Sequence, residues 1–407
     1  MSKITYSVPI GPVHPSLKEP MTFNFKIHGE QIEDVYLAPG DNHRGIEFMG
    51  MQRNPIQIIY LAERICGICS ASHPFAFSMA VENAAGIEVP ERAQYIRTII
   101  AELERIQSHI LWAGVAAHEL GFDSVLYLSW KAREVVMDTL EILTGNRVNY
   151  GMFMIGGVRR DFSLEQVSAI RKAVDYYREV YGKIEDIFLN DPTIALRTKN
   201  VGILTEEDAL RLCAVGPTAR ASGIKKDVRQ DQPYSAYADL NVKAITPDVF
   251  TGKIVGDVYD RIVVRLLELV QSLEIIEQCL DNLPAGEIVA EKKLVKLLNQ
   301  LKKAKGRGIG RHEAPRGECI HVVKLEEAEA PEAWKARAPT YNNLMTWVPM
   351  LMGQQIADIP IVIASIDPCI ACMDRVTILD KSNGKKSVLT KQDLHKLSVQ
   401  KTRRMTP

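Results

Sequence analysis

Apolar positions in the first 40 residues recur every second residue. Ile4 to Pro9, then MTFNFKI and IEDVYLA joined by His28-Gly29-Glu30, read as strands with a glycine-containing hairpin turn. After Pro90 the period changes. Ile96, Ile99, Ile100, Leu103, Ile106, Ile110 and Leu111 follow the i, i+3, i+4 spacing of a helix, which Gly121 ends. Asp123 or Ser124 is placed to cap a second helix, SVLYLSWKAREVVMDTLEILTG, and Ser163 a third, LEQVSAIRKAVDYYREVYGKIEDIFL. A fourth is predicted from Pro247 to Leu280. Helices of roughly 25 residues are about 38 Å long at 1.5 Å per residue, which suits a bundle around one shared core.

Gly216 to Tyr237, GPTARASGIKKDVRQDQPYSAY, lacks helical periodicity and reads as a connector, with Tyr234 and Tyr237 as packing residues. Further on, GECIHVVKL reads as a strand and TYNNLMTWVPMLMGQQ as a helix. VTILDKSNGKKSVLT reads as a hairpin around Asn383-Gly384, and TKQDLHKLSVQKTRR as a helix capped by Thr390, with Leu394, Leu397 and Val399 along it. Met49, Met51, Met345, Met350 and Met352 are expected in the core. The expected fold is α+β and mainly α: a long-helix bundle, a small N-terminal β-sheet and a short C-terminal α/β segment. The expected divisions are residues 1–89, 90–285, 286–375 and a tail, 376–407. Order in the tail argues that it is retained and packs against the N-terminal sheet or a partner subunit.

With 407 residues, 46% of them hydrophobic, and 50 basic against 50 acidic side chains, the chain can bury a sizeable core and has no electrostatic reason to bind nucleic acid. No apolar run approaches the roughly 18 to 20 residues that span a bilayer. The start, MSKITYSVPIGPVHP, lacks the basic and apolar stretches of a secretory signal, which favours a cytoplasmic location.

The cysteines carry most of the chemistry. Seven of them argue against a disulfide framework, and four form two C-x-x-C pairs, Cys66/Cys69 and Cys369/Cys372. Cysteines three apart can present both sulfurs to one metal, and two pairs make four thiolates. A structural zinc ribbon keeps its pairs roughly 15 to 20 residues apart, far closer than here. Spacing alone leaves zinc, a redox metal or cluster, and a thiol redox pair open. Cys213, Cys279 and Cys319, without partners at ligand spacing, read as packing cysteines.

RICGIC followed by His73, together with DPCIACMDR, resembles the two signature motifs of the large subunit of nickel-iron hydrogenases. GPVHPSLKEP, NHRGIEFM, GNRVNYGMFMIGGVRRD, GPTARASGIKKDVR and EAPRGE narrow the resemblance to the membrane-bound, energy-converting hydrogenases, whose large subunit is related to the quinone-site subunit of respiratory complex I. The complex I relatives share several of these segments but lack the four metal-binding cysteines.

The resemblance implies nickel bound by Cys66, Cys69, Cys369 and Cys372, with Cys69 and Cys372 bridging to an iron that carries carbon monoxide and cyanide. It implies heterolytic cleavage or formation of hydrogen, with Cys369 passing the proton to Glu19. Read without the family, Glu19 is a solvated loop carboxylate. Arg316 in EAPRGE matches the arginine overhanging the open metal position; its plainer reading is a salt bridge to Glu313 or Glu318. His73 matches a histidine that hydrogen-bonds a bridging sulfur, though a lone histidine is otherwise more often a satisfied core residue. Asp367 and Pro368 are expected to shape the turn presenting Cys369.

Two departures from the pattern stand out. Arg375 occupies the place where many relatives have histidine, and arginine does not bind cations, which argues against a magnesium site with Glu47. Residues 376–407 also follow, where many relatives lose a terminal peptide. With no further cysteine sets and hence no iron-sulfur cluster of its own, the chain is expected to need an iron-sulfur small subunit. The resemblance adds other hydrophilic subunits, ion-pumping membrane subunits, ferredoxin as electron donor, and a peripheral position on the cytoplasmic face of the membrane.

Overall fold

The computed structural model describes residues 5–373 and 391–405. The chain divides into two compact units, Met1–Asp374 and Arg375–Pro407.

The first unit opens with an antiparallel sheet in the order β1 (Thr5–Ile10), β2 (Thr22–His28), β3 (Gln31–Ala38). On β2 the expected alternation holds: Phe23, Phe25 and Ile27 are buried, whereas Lys26 is exposed. Short helices α1 (Ile46–Gly50) and α2 (Pro55–Glu63) lead to α3 (Ser72–Ala85) and the two long helices α4 (Glu91–Glu119) and α5 (Asp123–Thr144). Phe122 occupies the N-cap of α5 without a side-chain bond, and Asp123 is its first helical residue rather than its cap. A two-stranded hairpin, β4 (Phe153–Met154) and β5 (Gly157–Val158), precedes α6 (Leu164–Asn190), which Ser163 caps as expected through a reciprocal bond pair with Gln166.

After α7 (Pro192–Thr198) and α8 (Glu206–Arg211), the expected connector instead folds into α9 (Gly216–Ala221), α10 (Val228–Asp231) and a 3-10 turn, largely buried. The fourth long helix is shorter than expected. Pro247 starts only the single turn α11 (Asp248–Thr251), and α12 (Val258–Asp281) begins anew with the Asp257 carboxylate accepting from Asp260 N at 2.9 Å. Gly256 between them has φ 79°, and a Cβ there would lie 2.2 Å from Leu204 O, so the chain must break.

The last part holds α13 (Leu294–Lys303) and a meander of β6 (Lys305–Ala314), β7 (Gly317–Glu326) and β8 (Ala333–Arg337). Next come α14 (Pro339–Asn343), α15 (Trp347–Leu351) and α16 (Ile359–Ser365), so the expected late helix is two short pieces joined by a 3-10 turn. Met350 is buried, but Met345 and Met352 are exposed, contrary to expectation. The second unit contributes α17 (Lys391–Met405), the closing helix the pattern predicts. The hairpin around Asn383-Gly384, the Thr390 cap and Arg375 lie outside the described residues.

Two features position the site. Helix α3 lies directly on β6, where Cβ atoms at Gly306, Gly308 and Gly310 would meet the carbonyl oxygens of Ala84, Ala80 and Ala76 at 2.4, 1.9 and 1.9 Å. Behind it, α4 and α12 carry charge inside the core. Glu102 accepts from Arg229 at 3.1 Å, Arg105 at 3.2 Å, Ser272 at 2.6 Å and Tyr237 at 2.5 Å, all buried. Arg220 joins Glu268 and Glu313 at 2.6 and 2.9 Å. Such charges survive burial only as a fully paired set. The segment 216–237 supplies half of that set, which is why it is folded and buried instead of looping over the surface.

Candidate metal centre

The first cysteine pair lies in the turn between α2 and α3, the second in the turn after α16. Cys369 Sγ stands 2.7 Å from Cys66 Sγ and 3.0 Å from Cys372 Sγ, and all four sulfurs lie within 4.8 Å of one another, all buried. Hydrogen bonds from Cys369, Cys372 and Cys69 draw the Cys66 thiol well below its ordinary pKa. Burial, followed by the neighbouring sulfurs, pushes Cys372 well above it. Four adjacent thiolates in a dry site repel one another, and a thiophilic divalent cation between them offsets both repulsion and burial. The donor set fits such a metal.

Side chains from distant parts of the chain hold the two turns. Arg44 donates to the carbonyls of Arg64 at 3.1 Å and Ala371 at 2.7 Å, and also to that of Ile65, joining the backbone ahead of Cys66 to that ahead of Cys372. Cys369 N donates to Thr340 Oγ1 at 3.0 Å. Asp367 adopts φ 55°, a left-handed conformation that aspartate tolerates, immediately before Pro368.

Arg316 projects from the two-residue turn between β6 and β7. It donates from Nε to Asp367 O at 2.8 Å, from NH2 to Asp367 Oδ1 at 2.7 Å, and from NH1 to Ser108 Oγ at 2.8 Å and Cys69 Sγ at 3.4 Å. Neither salt bridge considered for it forms: Glu313 pairs with Arg220, and Glu318 with Arg337 at 2.7 Å. Burial alone would depress its pKa, but Asp367 and the sulfurs hold it charged. Gly216 and Gly317 touch behind this turn, where a Cβ on Gly216 would lie 2.4 Å from Gly317 Cα, so glycine at both places brings Arg316 to the sulfurs.

Glu19 Oε2 accepts from Ala371 N, inside the second cysteine pair, at 2.8 Å. It is therefore no solvated loop carboxylate. Burial raises its pKa, the charge of Cys66 raises it further, and the Ala371 amide and Arg316 partly offset this. A cavity of about 280 Å³ opens beside it, lined by Glu19, Ile68, Trp112, Arg316, Asp367 and Pro368 among others. His73 Nδ1 lies 3.1 Å from His321 Nε2 and 3.5 Å from Cys319 Sγ.

Of the remaining cysteines, Cys279 is buried on α12 as expected, Cys213 is exposed, and Cys319 lies against His73 instead of only packing. Tyr234 and Tyr237 do more than pack, bonding His312 Nδ1 at 2.8 Å and Glu102. Sequence reasoning assigned no role to Arg44, Ser108, Thr340 or His321; only the presence of Arg44 in the NHRG motif could have pointed to it.

Two family profiles match the chain: "Respiratory-chain NADH dehydrogenase, 49 Kd subunit" over residues 119–375, and "Nickel-dependent hydrogenase" over residues 44–114. The chain is 50% identical to the membrane-bound hydrogenase subunit alpha of Pyrococcus furiosus, over all of this chain and 96% of that one. It is 37% identical to the carbon monoxide-induced hydrogenase of Rhodospirillum rubrum, over 91% of this chain and 99% of that one. Among solved structures, a chain of the membrane-bound sulfane sulfur reductase, an archaeal respiratory membrane complex, superposes with a TM-score of 0.85 at 30% identity, covering 92% of this chain and all of that one. Four converging thiolates, the paired arginine and similarity along the whole chain lead to one assignment: the chain belongs to the family of membrane-bound nickel-dependent hydrogenase large subunits related to the 49 kDa subunit of respiratory NADH dehydrogenase.

Proposed function

We propose that this chain is the catalytic subunit of a hydrogenase, in which Cys66, Cys69, Cys369 and Cys372 would hold a nickel-iron centre. When bound, this centre, its iron carrying carbon monoxide and cyanide, would supply the place where H–H is split heterolytically or formed, two protons and two electrons being exchanged in all. The convergence of four buried sulfurs within 4.8 Å carries the reading.

The protein groups then have distinct tasks. Cys369 gives up the proton to Glu19, whose carboxylate the Ala371 amide holds beside the pair. Burial raises the pKa of Glu19, which makes it a better acceptor for that proton than a solvated carboxylate. Arg316, fixed by two bonds to Asp367, sets a positive charge against Cys69 without being free to collapse onto it. His73, whose Nδ1 is taken by His321 and Cys319, would serve the centre through its other ring nitrogen, as a hydrogen-bond donor to a metal-bound sulfur. Electrons are exchanged through an iron-sulfur partner subunit, with ferredoxin as donor to the assembly. The chain sits peripherally on the cytoplasmic face against ion-pumping membrane subunits, and no described helix is long and apolar enough to cross the membrane.

The longer profile match, to the 49 kDa subunit, also suits a quinone-reducing scaffold with a structural four-cysteine metal. Metal analysis and infrared spectroscopy of the mature complex separate the two. Nickel with iron-bound carbonyl and cyanide bands supports the hydrogenase; stoichiometric zinc without nickel in active, mature complex rejects it.

A further inference from the structure

His73, Cys319 and His321 form a second buried cluster, with one nitrogen or sulfur of each within 4.8 Å of the others. The group could hold a metal, but a fourth residue decides against it. Trp334 Nε1 lies 3.1 Å from His321 Nδ1. An indole N–H only donates, so His321 Nδ1 must be the acceptor, and a neutral His321 carries its proton on Nε2. A metal-bound histidine normally donates its free ring N–H outward to an acceptor. His321 faces a donor there and cannot do so.

The same logic passes along the chain of bonds. His321 Nε2–H points at His73 Nδ1 at 3.1 Å, so His73 Nδ1 is also an acceptor. The Cys319 thiol, kept protonated by burial, faces the same atom. Burial holds His73 neutral, with a pKa of about 4, and keeps that of His321 well below its ordinary value. Each ring therefore has one proton to place. Trp334 is itself immobile: it is fully buried, Phe77 packs edge-on against it, and Gly50 passes so close that a Cβ would lie 2.2 Å from its ring.

We propose that Trp334 and His321 are positioning residues that fix the tautomer of His73, leaving its proton on Nε2 as a donor for the metal-bound sulfurs. The sulfur-directed half rests on the function proposed above. The tautomer half rests only on the bonds just described.

Nitrogen-15 NMR of the full chain with labelled histidines reads the protonated nitrogen of each ring, with His73→Gln assigning its signal. Both His73 and His321 are expected as Nε2–H. In mature complex, Trp334→Phe frees His321 to flip. A second infrared carbonyl component should then appear at lower wavenumber, because a sulfur that loses a hydrogen bond donates more charge to iron. His321→Gln keeps an N–H for His73 and should retain the single band, whereas His321→Leu should lose it. His73 protonated on Nδ1 in the wild-type chain, a stoichiometric metal on His73 and His321, or an unchanged band in both Trp334→Phe and His321→Leu would each overturn the proposal. Mature complex without carbonyl or cyanide bands would overturn the proposed function instead, while the NMR result still decides the tautomer.

Discussion

Gly310→Ala adds one methyl group where β6 meets α3. Its Cβ would lie 1.9 Å from Ala76 O and 2.7 Å from Ala80 N, whereas ordinary contact begins at 3.4 Å. The obstacle is helix backbone, so α3 must retreat by about 1.5 Å or the strand must bend, at an overpacking cost of roughly 1–3 kcal/mol. Alanine's smaller loss of backbone entropy returns only about 0.5–1 kcal/mol. The net loss expected is therefore on the order of 1–2 kcal/mol, a five- to thirty-fold fall in the folded-to-unfolded ratio. The displacement also reaches the metal centre, because α3 begins three residues after Cys69 and carries His73, and its first amides are held by Glu104. Nickel retention should fall with stability. A matched control is Gly182→Ala on α6, where a Cβ meets nothing within 4 Å and the change should stabilise by about 0.5–1 kcal/mol. Urea unfolding midpoints and nickel content of the two variants provide the assay. If Gly310→Ala matched wild type in both while Gly182→Ala showed its gain, the direct seating of α3 on β6 would be wrong.

Serine at Cys66, Cys69, Cys369 or Cys372 should abolish hydrogen turnover, since a hard hydroxyl replaces a soft thiolate, whereas Cys213→Ala and Cys279→Ala should leave it largely intact; a Cys369→Ser variant with near-normal turnover would sink the ligand set. Glu19→Gln should lower hydrogen–deuterium exchange by ~10²-fold or more with the metal content unchanged, and normal exchange would mean that protons leave by another route. Arg316→Lys should also slow turnover, because lysine cannot make the forked bonds to Asp367 while facing Cys69; wild-type rates would show that charge alone suffices. His73, with a pKa of about 4, and His312 and His321, both well below 6.5, are kept neutral by burial. Depressed folded-state values mean that the unfolded chain binds more protons, so stability is fully present above pH 6.5 and is lost as pH falls toward 4, by up to about 1.4 kcal/mol per pH unit for each histidine. Unfolding midpoints that stay flat across that window would contradict the neutral assignment.

What could be read in the sequence was whatever repeats locally. The alternation of Phe23, Phe25 and Ile27, the stripe on α4 and the Ser163 cap each depend on neighbours within a few residues, and each appears where expected. Strand β6 escaped because Gly306, Gly308 and Gly310 replace the apolar side chains that mark a strand; they are there to admit a helix from elsewhere. Segment 216–237 escaped for a related reason. Its order comes from Arg220 pairing with Glu268 and Glu313, and Arg229 with Glu102 and Asp227, and charge pairing across a core has no periodicity.

The candidate centre divides the same way. Residue chemistry and spacing named the sulfurs, and motif resemblance supplied Glu19 and Arg316 as candidates. The sequence could not reveal that Cys66 and Cys369, 303 positions apart, stand 2.7 Å from each other. Nor could it choose Asp367 over Glu313 and Glu318 as the partner of Arg316, or show that the Ala371 amide holds Glu19. These choices belong to the tertiary structure. They follow from the seating of α3 on glycine, the touching of Gly216 and Gly317, and the Arg44 bonds between the two turns, all of them contacts between segments far apart along the chain.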